Sequence, residues 1–565
     1  MSAPDRKPST LDGRTVDVLV IGGGIVGAGC AWDAALRGLS TALVEKSDFG
    51  GATSAGCFKI VHGGLRYLQH LNFKRVRESV AEQTILRRIA PHLVHPLPFL
   101  IPTYGWGKRG RGALRAALEL YDVLTWDRNT AIDESHRLPR YKVLSRERCL
   151  EIAPYLSPEG LNGGIVYYDC QMSSSERLSA AVVWAAAEAG ATVCNYIAAE
   201  SIGVLGPDGT TTVTLEDQLS GQKYSLKARQ IINAAGPWGP LLEQRQSQAP
   251  LRYSKGIQVV TRPIMSKYAV AIESRYSDPA ARVSRGSRSF FVQPWRGATL
   301  IGTTDELYEG SPDDFSITSR EVREFLDDLR AAYPDSRLTA DNVQYAFGGL
   351  RPLDARVEAE LAHGTRPTPG AATASMKDMI VDHAAGEGTL PSNLLTVVGV
   401  KYTTFRAVAE QVVDRVVAKL GRRLPSRTAT TKLPGAPTDS YDLLLKHVAD
   451  SGGVAPALWH NLVRSYGAKA PEVRELIRAS PELARPIGPS GDVYAAELVY
   501  VARNEMVMTL ADAVLRRTGL GTLGYPGDAA VMAAAELVGH ELGWNEEKRV
   551  AEIHALRRHF ILPSQ

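Results

Sequence analysis

No stretch of about 18 uninterrupted apolar residues runs through this 565-residue chain, so no segment reads as a membrane-spanning helix. The opening segment, MSAPDRKPSTLDGR, is polar and lacks the apolar centre of a secretory signal, and it reads as a flexible tail over 1–14. Cysteine is scarce. The five thiols, Cys30, Cys57, Cys149, Cys170 and Cys194, are odd in number and scattered, with no C-x-x-C or metal-ligand spacing. That pattern predicts reduced thiols in a cytosolic compartment and no metal site. A strong excess of one charge is missing as well: a net charge of +4 gives no support for a nucleic-acid partner. No internal repeat occurs, which excludes a solenoid. The remaining composition, 44% hydrophobic and 22% charged, belongs to an ordinary globular chain, and its length predicts two or three domains.

What is present begins with DVLVIGGGIVGAGCAWDAALRGLSTALVEK, residues 17–46. A β-branched apolar run, Val16 to Ile21, suits a strand buried on both faces. Gly22, Gly24 and Gly27 follow at G-x-G-x-x-G spacing: the first for a tight turn, the second for close approach of a pyrophosphate, the third for helix–strand packing. A helix from Ile25 to Leu36 ends at Arg37-Gly38, and Thr41 to Val44 forms a second strand. Glu45 closes that strand, about 20 residues past the glycines, where an acid accepts hydrogen bonds from a ribose. The unit predicts a dinucleotide, and the acid disfavours the 2′-phosphate of NADP. It does not separate NAD from FAD.

Downstream, Gly50, Gly51, Ala52, Thr53 and Ser54 make a small-residue loop suited to phosphate oxygens. His62-Gly63-Gly64-Leu65-Arg66-Tyr67 sets a histidine and an arginine beside two permissive glycines. Residues 201–227 alternate around a Gly-Pro-Asp-Gly turn and read as a hairpin excursion, after which Ile231 to Gly236 returns as a buried strand. Residues 250–381 are mostly strand-like, with one helix over 320–333. Asn393 to Val398 is another core strand, and Lys401-Tyr402-Thr403-Thr404 opens a helix over 405–420, whose positive end suits negative charge on a reduced cofactor. The run 426–440, rich in Pro, Gly, Ser and Thr, reads as a linker, and 441–565 is helical in pattern. Within it, Asp512, Arg516 and Arg517 predict an ion-paired helix surface packing on a neighbour.

The ordered set of KIVHGGLRYL (59–68), YYDCQMSSSERL (167–178), IINAAGPWG (231–239), LIGTTDELYEG (300–310), GGLRPLD (348–354), VVGVKYTTFR (397–406) and RNEMVMTLADAVLRRT (503–518), behind the glycine fingerprint, resembles the FAD-dependent glycerol-3-phosphate dehydrogenases. These belong to the wider D-amino-acid-oxidase-like flavoproteins. The resemblance implies an α/β fold: a Rossmann-like FAD-binding domain interleaved over 15–425 with a mainly antiparallel β substrate domain (roughly 85–165 and 250–385), then a C-terminal all-α domain. It implies FAD as cofactor, hydride transfer from C2 of sn-glycerol 3-phosphate to flavin N5, and quinone as electron acceptor. It further implies a peripheral place on the inner face of the cytoplasmic membrane, and it leaves a homodimer open.

By the same resemblance, Gly22, Gly24, Gly27, Glu45, Lys46, Thr53, Ser54, His62, Gly63, Gly64, Gly236, Gly399, Lys401 and Thr403 hold the cofactor. Arg66, Tyr67, Gln258, Arg351, Lys401 and Thr404 bind substrate, with Arg351, Lys401 and His62 at the reacting centre. A phosphomonoester carries close to two negative charges and calls for two or more cationic side chains. An amphipathic helix with Leu114, Ala117, Leu118, Tyr121 and Leu124 on one face carries Lys108, Arg109, Arg111 and Arg115 at its start, behind Tyr104 and Trp106. That grouping suits anionic headgroups. The sequence departs from the family where K-G-S-H becomes Lys255-Gly256-Ile257-Gln258, where Gly56-Cys57-Phe58 replaces hydroxyl residues, at Gly399-Val400-Lys401, and at Ser375-Met376-Lys377-Asp378. Two alternatives follow: a same-fold flavoenzyme for another phosphorylated or acidic alcohol or amine, and an inactive FAD-binding protein.

Overall fold

The computed structural model describes residues 6–105, 110–243, 251–265, 267–273, 289–332, 338–364, 374–375, 377–385, 390–449 and 455–563. Two large sheets organise it. The first holds six strands in the order Met379–Asp382, Leu394–Val398, Lys223–Asn233, Thr15–Ile21, Thr41–Val44 and Thr192–Cys194, with Ile197–Leu205 and Thr211–Asp217 attached as the hairpin excursion. Thr15–Ile21 runs parallel to both neighbours, placing Val20 beside Leu43 on one side and Ile232 on the other. Its apolar run is buried because helices cover the sheet. Ile25–Leu36 packs between the helices Ser175–Glu188 and Phe405–Lys419, an arrangement typical of open parallel sheets.

Glycines make the first turn feasible. Gly22 has a φ of +105°, and a Cβ there would lie 2.5 Å from the Ala234 carbonyl oxygen. A Cβ on Gly27 would stand 1.9 Å from the Gly22 oxygen. No other residue type fits either position.

The second sheet has ten strands and is antiparallel except where Ala269–Glu273 meets Val94–Tyr104. Its longest pairing joins Val94–Tyr104 to Leu161–Met172, and Arg252–Thr261 pairs with Ala298–Gly302, Glu306–Glu309 and Val343–Arg351. The two sheets meet through the short helix Ala52–Ala55: Thr53 Oγ1 donates to the Leu350 oxygen at 2.9 Å. The C-terminal unit is a helical bundle around Leu462, Val473, Leu498, Val501, Val531 and Val538. It also carries a two-strand pairing, Pro486–Ile487 with Val493–Tyr494, which the all-helical reading did not anticipate.

One further expectation needs correcting. Residues 6–14, expected as a flexible tail, are packed: Leu11 is fully buried, and Arg6 pairs with Asp217 at 2.6 Å. The 426–440 segment, expected as a linker, lies against the helices Phe405–Lys419 and Phe73–Ile89. Arg406 Nη1 donates to Thr428 Oγ1 at 3.0 Å, and the Leu433 N–H donates to the Ile89 oxygen at 2.9 Å. Among the described residues, no helix is long and apolar enough to cross a membrane, and no cluster of three or more His, Cys, Asp or Glu is placed to hold a metal ion.

Candidate active site

The carboxyl ends of the parallel strands gather the residues expected to hold a cofactor. Gly22 follows Thr15–Ile21, Glu45 follows Thr41–Val44, Gly236 lies beyond Lys223–Asn233, and Gly399 follows Leu394–Val398. In open α/β sheets ligands bind at this edge. Glu45 Oε2 accepts from the Gly23 N–H at 2.7 Å, and its Oε1 accepts from Ser47 N and Oγ at 2.9 and 3.0 Å. The carboxylate is thereby fixed at the strand end. The helix Ile25–Leu36 starts at Gly24 without a side-chain cap, and Ser54 Oγ accepts from the Ile25 N–H at 3.0 Å. Lys46 stands apart from this cradle, pairing with Asp313 at 2.8 Å and lying 4.3 Å from the Trp238 ring centroid.

A second group surrounds the 59–68 stretch. The His62 N–H donates to Thr403 Oγ1 at 3.2 Å, joining this loop to the start of the Phe405–Lys419 helix. Lys401 Nζ lies 4.3 Å from the centroid of the Tyr67 ring, and the His62 and Tyr67 rings stand edge to face at 6.0 Å. Burial, reinforced by the charges of Lys401 and Arg66, pushes the His62 imidazole down to about 4. The ring is therefore neutral near pH 7. Burial and the nearby Arg75 lower the Lys401 ammonium to about 8, so most of it stays charged at neutral pH. Gly64, at φ +80°, turns the chain into the short helix that carries Arg66 and Tyr67.

Arg351 belongs to another set of contacts, on the substrate sheet. Its Nη2 donates to Ser254 Oγ at 3.0 Å and to the Thr304 oxygen at 3.1 Å, 3.4 Å from Asp305. Its Nε is buried with no hydrogen-bond partner among the described residues, and so is the Thr404 hydroxyl at the head of the Phe405–Lys419 helix. A buried polar atom without a partner is costly, and a ligand is one way to satisfy it. Gln258 is differently placed. Its carboxamide donates to the Phe347 oxygen at 2.9 Å and the Gly56 oxygen at 3.1 Å, and accepts from Thr303 Oγ1 at 3.0 Å. Those bonds make it a brace between the 52–58 loop and two strands of the substrate sheet.

Several supporting residues escaped the sequence reading. Asp169 Oδ1 accepts from the Gly63 N–H at 2.6 Å and from Gln83 Nε2 at 2.8 Å, and burial raises its carboxyl to about 6. Lys59, almost fully buried, donates to the Ala55 oxygen at 2.7 Å, Ser175 Oγ at 2.8 Å and Glu176 Oε1 at 2.6 Å, and Ser175 Oγ donates to the Ser54 oxygen at 2.9 Å. Together they set the shape of the 52–59 loop. A single acid inside the apolar strand motif YYDCQ was the only available hint of Asp169. Of the residues expected to face headgroups, Arg111 and Arg115 are exposed, while Trp106, Lys108 and Arg109 fall outside the described residues.

The glycine cradle, the strand-end acid and the unpartnered Thr404 hydroxyl fit a dinucleotide flavin. Comparison with known proteins agrees. Residues 17–376 match the family model described as FAD dependent oxidoreductase, and residues 426–549 match the C-terminal domain of alpha-glycerophosphate oxidase. A glycerol-3-phosphate dehydrogenase of Synechocystis sp. is 33% identical, the alignment covering 98% of each chain. Glycerol-3-phosphate dehydrogenase 1 of Mycobacterium bovis is 34% identical over 93% of this chain and 95% of its own. Among solved structures, the glycerol-3-phosphate dehydrogenase of Bacillus halodurans complexed with FAD superposes with a TM-score of 0.72 at 25% identity, covering 99% of this chain and 97% of that one.

Proposed function

Since this chain belongs to the FAD-dependent glycerol-3-phosphate dehydrogenase family, we propose that it oxidises sn-glycerol 3-phosphate to dihydroxyacetone phosphate and that its electrons pass to a quinone. When bound, FAD would supply the redox chemistry, as acceptor at N5 for a hydride from C2 of the substrate. The observation that carries the reading is the corner where Lys401 lies against Tyr67 beside His62, with the exposed Arg66 near enough to lower the His62 imidazole, tied through Thr403 to the helix that starts beside the strand ends. A phosphate dianion placed there meets two cations, and its charge in turn raises the proton affinity of Lys401 and His62.

Within this reading, Lys401 and Arg66 bind the phosphate and Tyr67 forms the wall beneath Lys401. His62, neutral in the substrate-free protein, hydrogen-bonds the substrate hydroxyl and gains basicity once the dianion offsets its cationic neighbours. Arg351 offers its Nε to the developing alkoxide, while Ser254 and Thr304 fix the other end of its guanidinium. Thr404 offers its hydroxyl to the flavin or the substrate. Glu45 takes the ribose, and Ser54 together with the Gly24 turn takes the pyrophosphate. Gln258, where a histidine is usual, acts through the 52–58 loop it braces.

Support for a membrane site comes from an apolar patch. Leu71 and Phe73, at the start of the helix Phe73–Ile89 that touches the helix Arg111–Leu124, are exposed, as are Leu120 and Val123 on the latter helix and Trp126 just past its end. Val123 is 69% exposed and Trp126 81%. Exposed Lys74, Arg111 and Arg115 accompany them. Aromatic and aliphatic side chains beside cations suit the headgroup region of an anionic bilayer, where a quinone acceptor resides.

Turnover with an artificial electron acceptor tests the substrate. We expect activity with sn-glycerol 3-phosphate and none with glycerol at the same concentration, because the cationic corner requires the phosphate. Equal rates with an unphosphorylated alcohol or an amine would reject this reading.

A further inference from the structure

The helical C-terminal unit reaches into the dinucleotide half at one buried point. Asp48, three residues beyond the strand-end acid, has a fully buried side chain. It accepts from Arg516 Nε at 2.8 Å, from Arg517 Nη1 and Nη2 at 2.7 Å each, and from Asn195 Nδ2 at 3.0 Å. Two consecutive arginines of an α-helix point about 100° apart and do not normally meet at one carboxylate. Here both guanidinium groups reach Asp48 from the π-helical turn Asp512–Arg517. Asp512 anchors that turn. Its Oδ2 accepts the N–H groups of Met508 and Thr509 at 2.9 Å, and its Oδ1 accepts from Tyr196 and Arg516 at 2.7 Å.

The other side of the same loop grips the glycine turn. Glu45 accepts the Gly23 N–H at 2.7 Å, and the Gly50 N–H donates to the Gly23 oxygen at 3.0 Å. Phe49 packs so closely beneath that a Cβ on Gly23 would lie 2.5 Å from its ring. The 45–50 loop thus holds the middle glycine by both backbone groups, and the C-terminal arginines hold the loop.

We propose that Arg516 and Arg517 are positioning residues for the cofactor: by fixing Asp48 they hold the 45–50 loop, and through it Gly23 and Glu45, in the shape that retains FAD. This rests on the FAD reading above. A fully buried ion pair is a weak source of stability relative to apolar packing, because both charges are desolvated; what a bidentate pair delivers is fixed geometry. The helical unit is then part of the nucleotide site.

The test follows FAD release from the holoprotein by the rise in flavin fluorescence. Arg517→Lys and Arg516→Lys keep the charge but lose the planar fork. We expect release to quicken about tenfold or more in either variant, within the range usual for coupling between two sites. Release within about twofold of the parent, in a variant with the parental far-UV circular dichroism, would overturn the proposal; a merely structural pair would lower the melting temperatures of FAD-bound and FAD-free protein equally and leave release unchanged. Should the variants fail to fold, hydrogen exchange on the unaltered protein decides. Removing FAD should speed amide exchange across 508–518 as well as across 45–50, and an effect confined to 45–50 would refute the coupling. A purified protein that binds no FAD at all overturns the cofactor reading together with this one, whereas bound FAD released at the parental rate overturns this one alone.

Discussion

Lys401 holds its ammonium 4.3 Å above the ring of Tyr67, in a corner where burial and Arg75 lower its proton affinity to about 8. Lowering the value of a cation means that charge is lost as pH rises through it. Binding of a phosphate dianion should therefore weaken on the alkaline side. We expect kcat/KM for sn-glycerol 3-phosphate to fall above about pH 8, and Lys401→Arg to carry that limb out of the measurable range while lowering the maximum. An unchanged alkaline limb in the arginine variant would remove Lys401 from phosphate binding.

Asp169 gives a stability prediction with a definite sign. Its folded-state value, about 6, lies above the ordinary aspartate value of 3.8 because burial outweighs the bonds from Gly63, Gln83 and Tyr167. Between those values the native state holds the proton more tightly, so the group's contribution falls as pH rises from about 4 to 6. At neutral pH the charge costs up to about 3 kcal/mol. Asp169→Asn removes the charge and keeps an acceptor oxygen for Gly63 and Gln83, turning its amide to the third neighbour, Tyr167. Chemical denaturation should show the variant more stable at pH 7 by about 1–3 kcal/mol, with the difference vanishing near pH 4. Equal stability gains at pH 4 and pH 7 would contradict this.

The apolar patch predicts a separable loss. Val123→Glu with Trp126→Glu should abolish co-sedimentation with vesicles rich in anionic lipid and leave turnover with a water-soluble acceptor within about twofold of the parent, since neither side chain lines the cationic corner. Retained sedimentation would reject this surface as the docking site.

Local patterns were the legible part. The glycine turn, the helix Ile25–Leu36 and the strand Thr41–Val44 fall where the sequence places them, because apolar periodicity and glycine chemistry act over a few residues. The mainly antiparallel second sheet followed in part from the strand-like run over 250–381 and in part from the family resemblance. What escaped depends on partners far along the chain. Asp48 meets Arg517 across 469 positions, and Arg6 meets Asp217 across 211, so nothing near either acid announces its role. The packing of residues 6–14 was hidden for that reason. Gln258 was legible as a departure from a family motif, yet its brace to Gly56, Phe347 and Thr303 needs three separate segments brought together. Arg351 was singled out from its Gly-rich motif, but its partners Ser254, Thr304 and Asp305 come from a strand and a loop that only the sheet register unites with it.

The most direct measurement is the anaerobic half-reaction. Purified, FAD-loaded protein is mixed with sn-glycerol 3-phosphate without oxygen or any acceptor, and flavin absorbance is followed at about 450 nm. A cationic corner set beside the flavin to hold a phosphorylated alcohol predicts rapid bleaching that saturates with substrate and is absent with glycerol. Flavin that stays oxidised at millimolar substrate would contradict it.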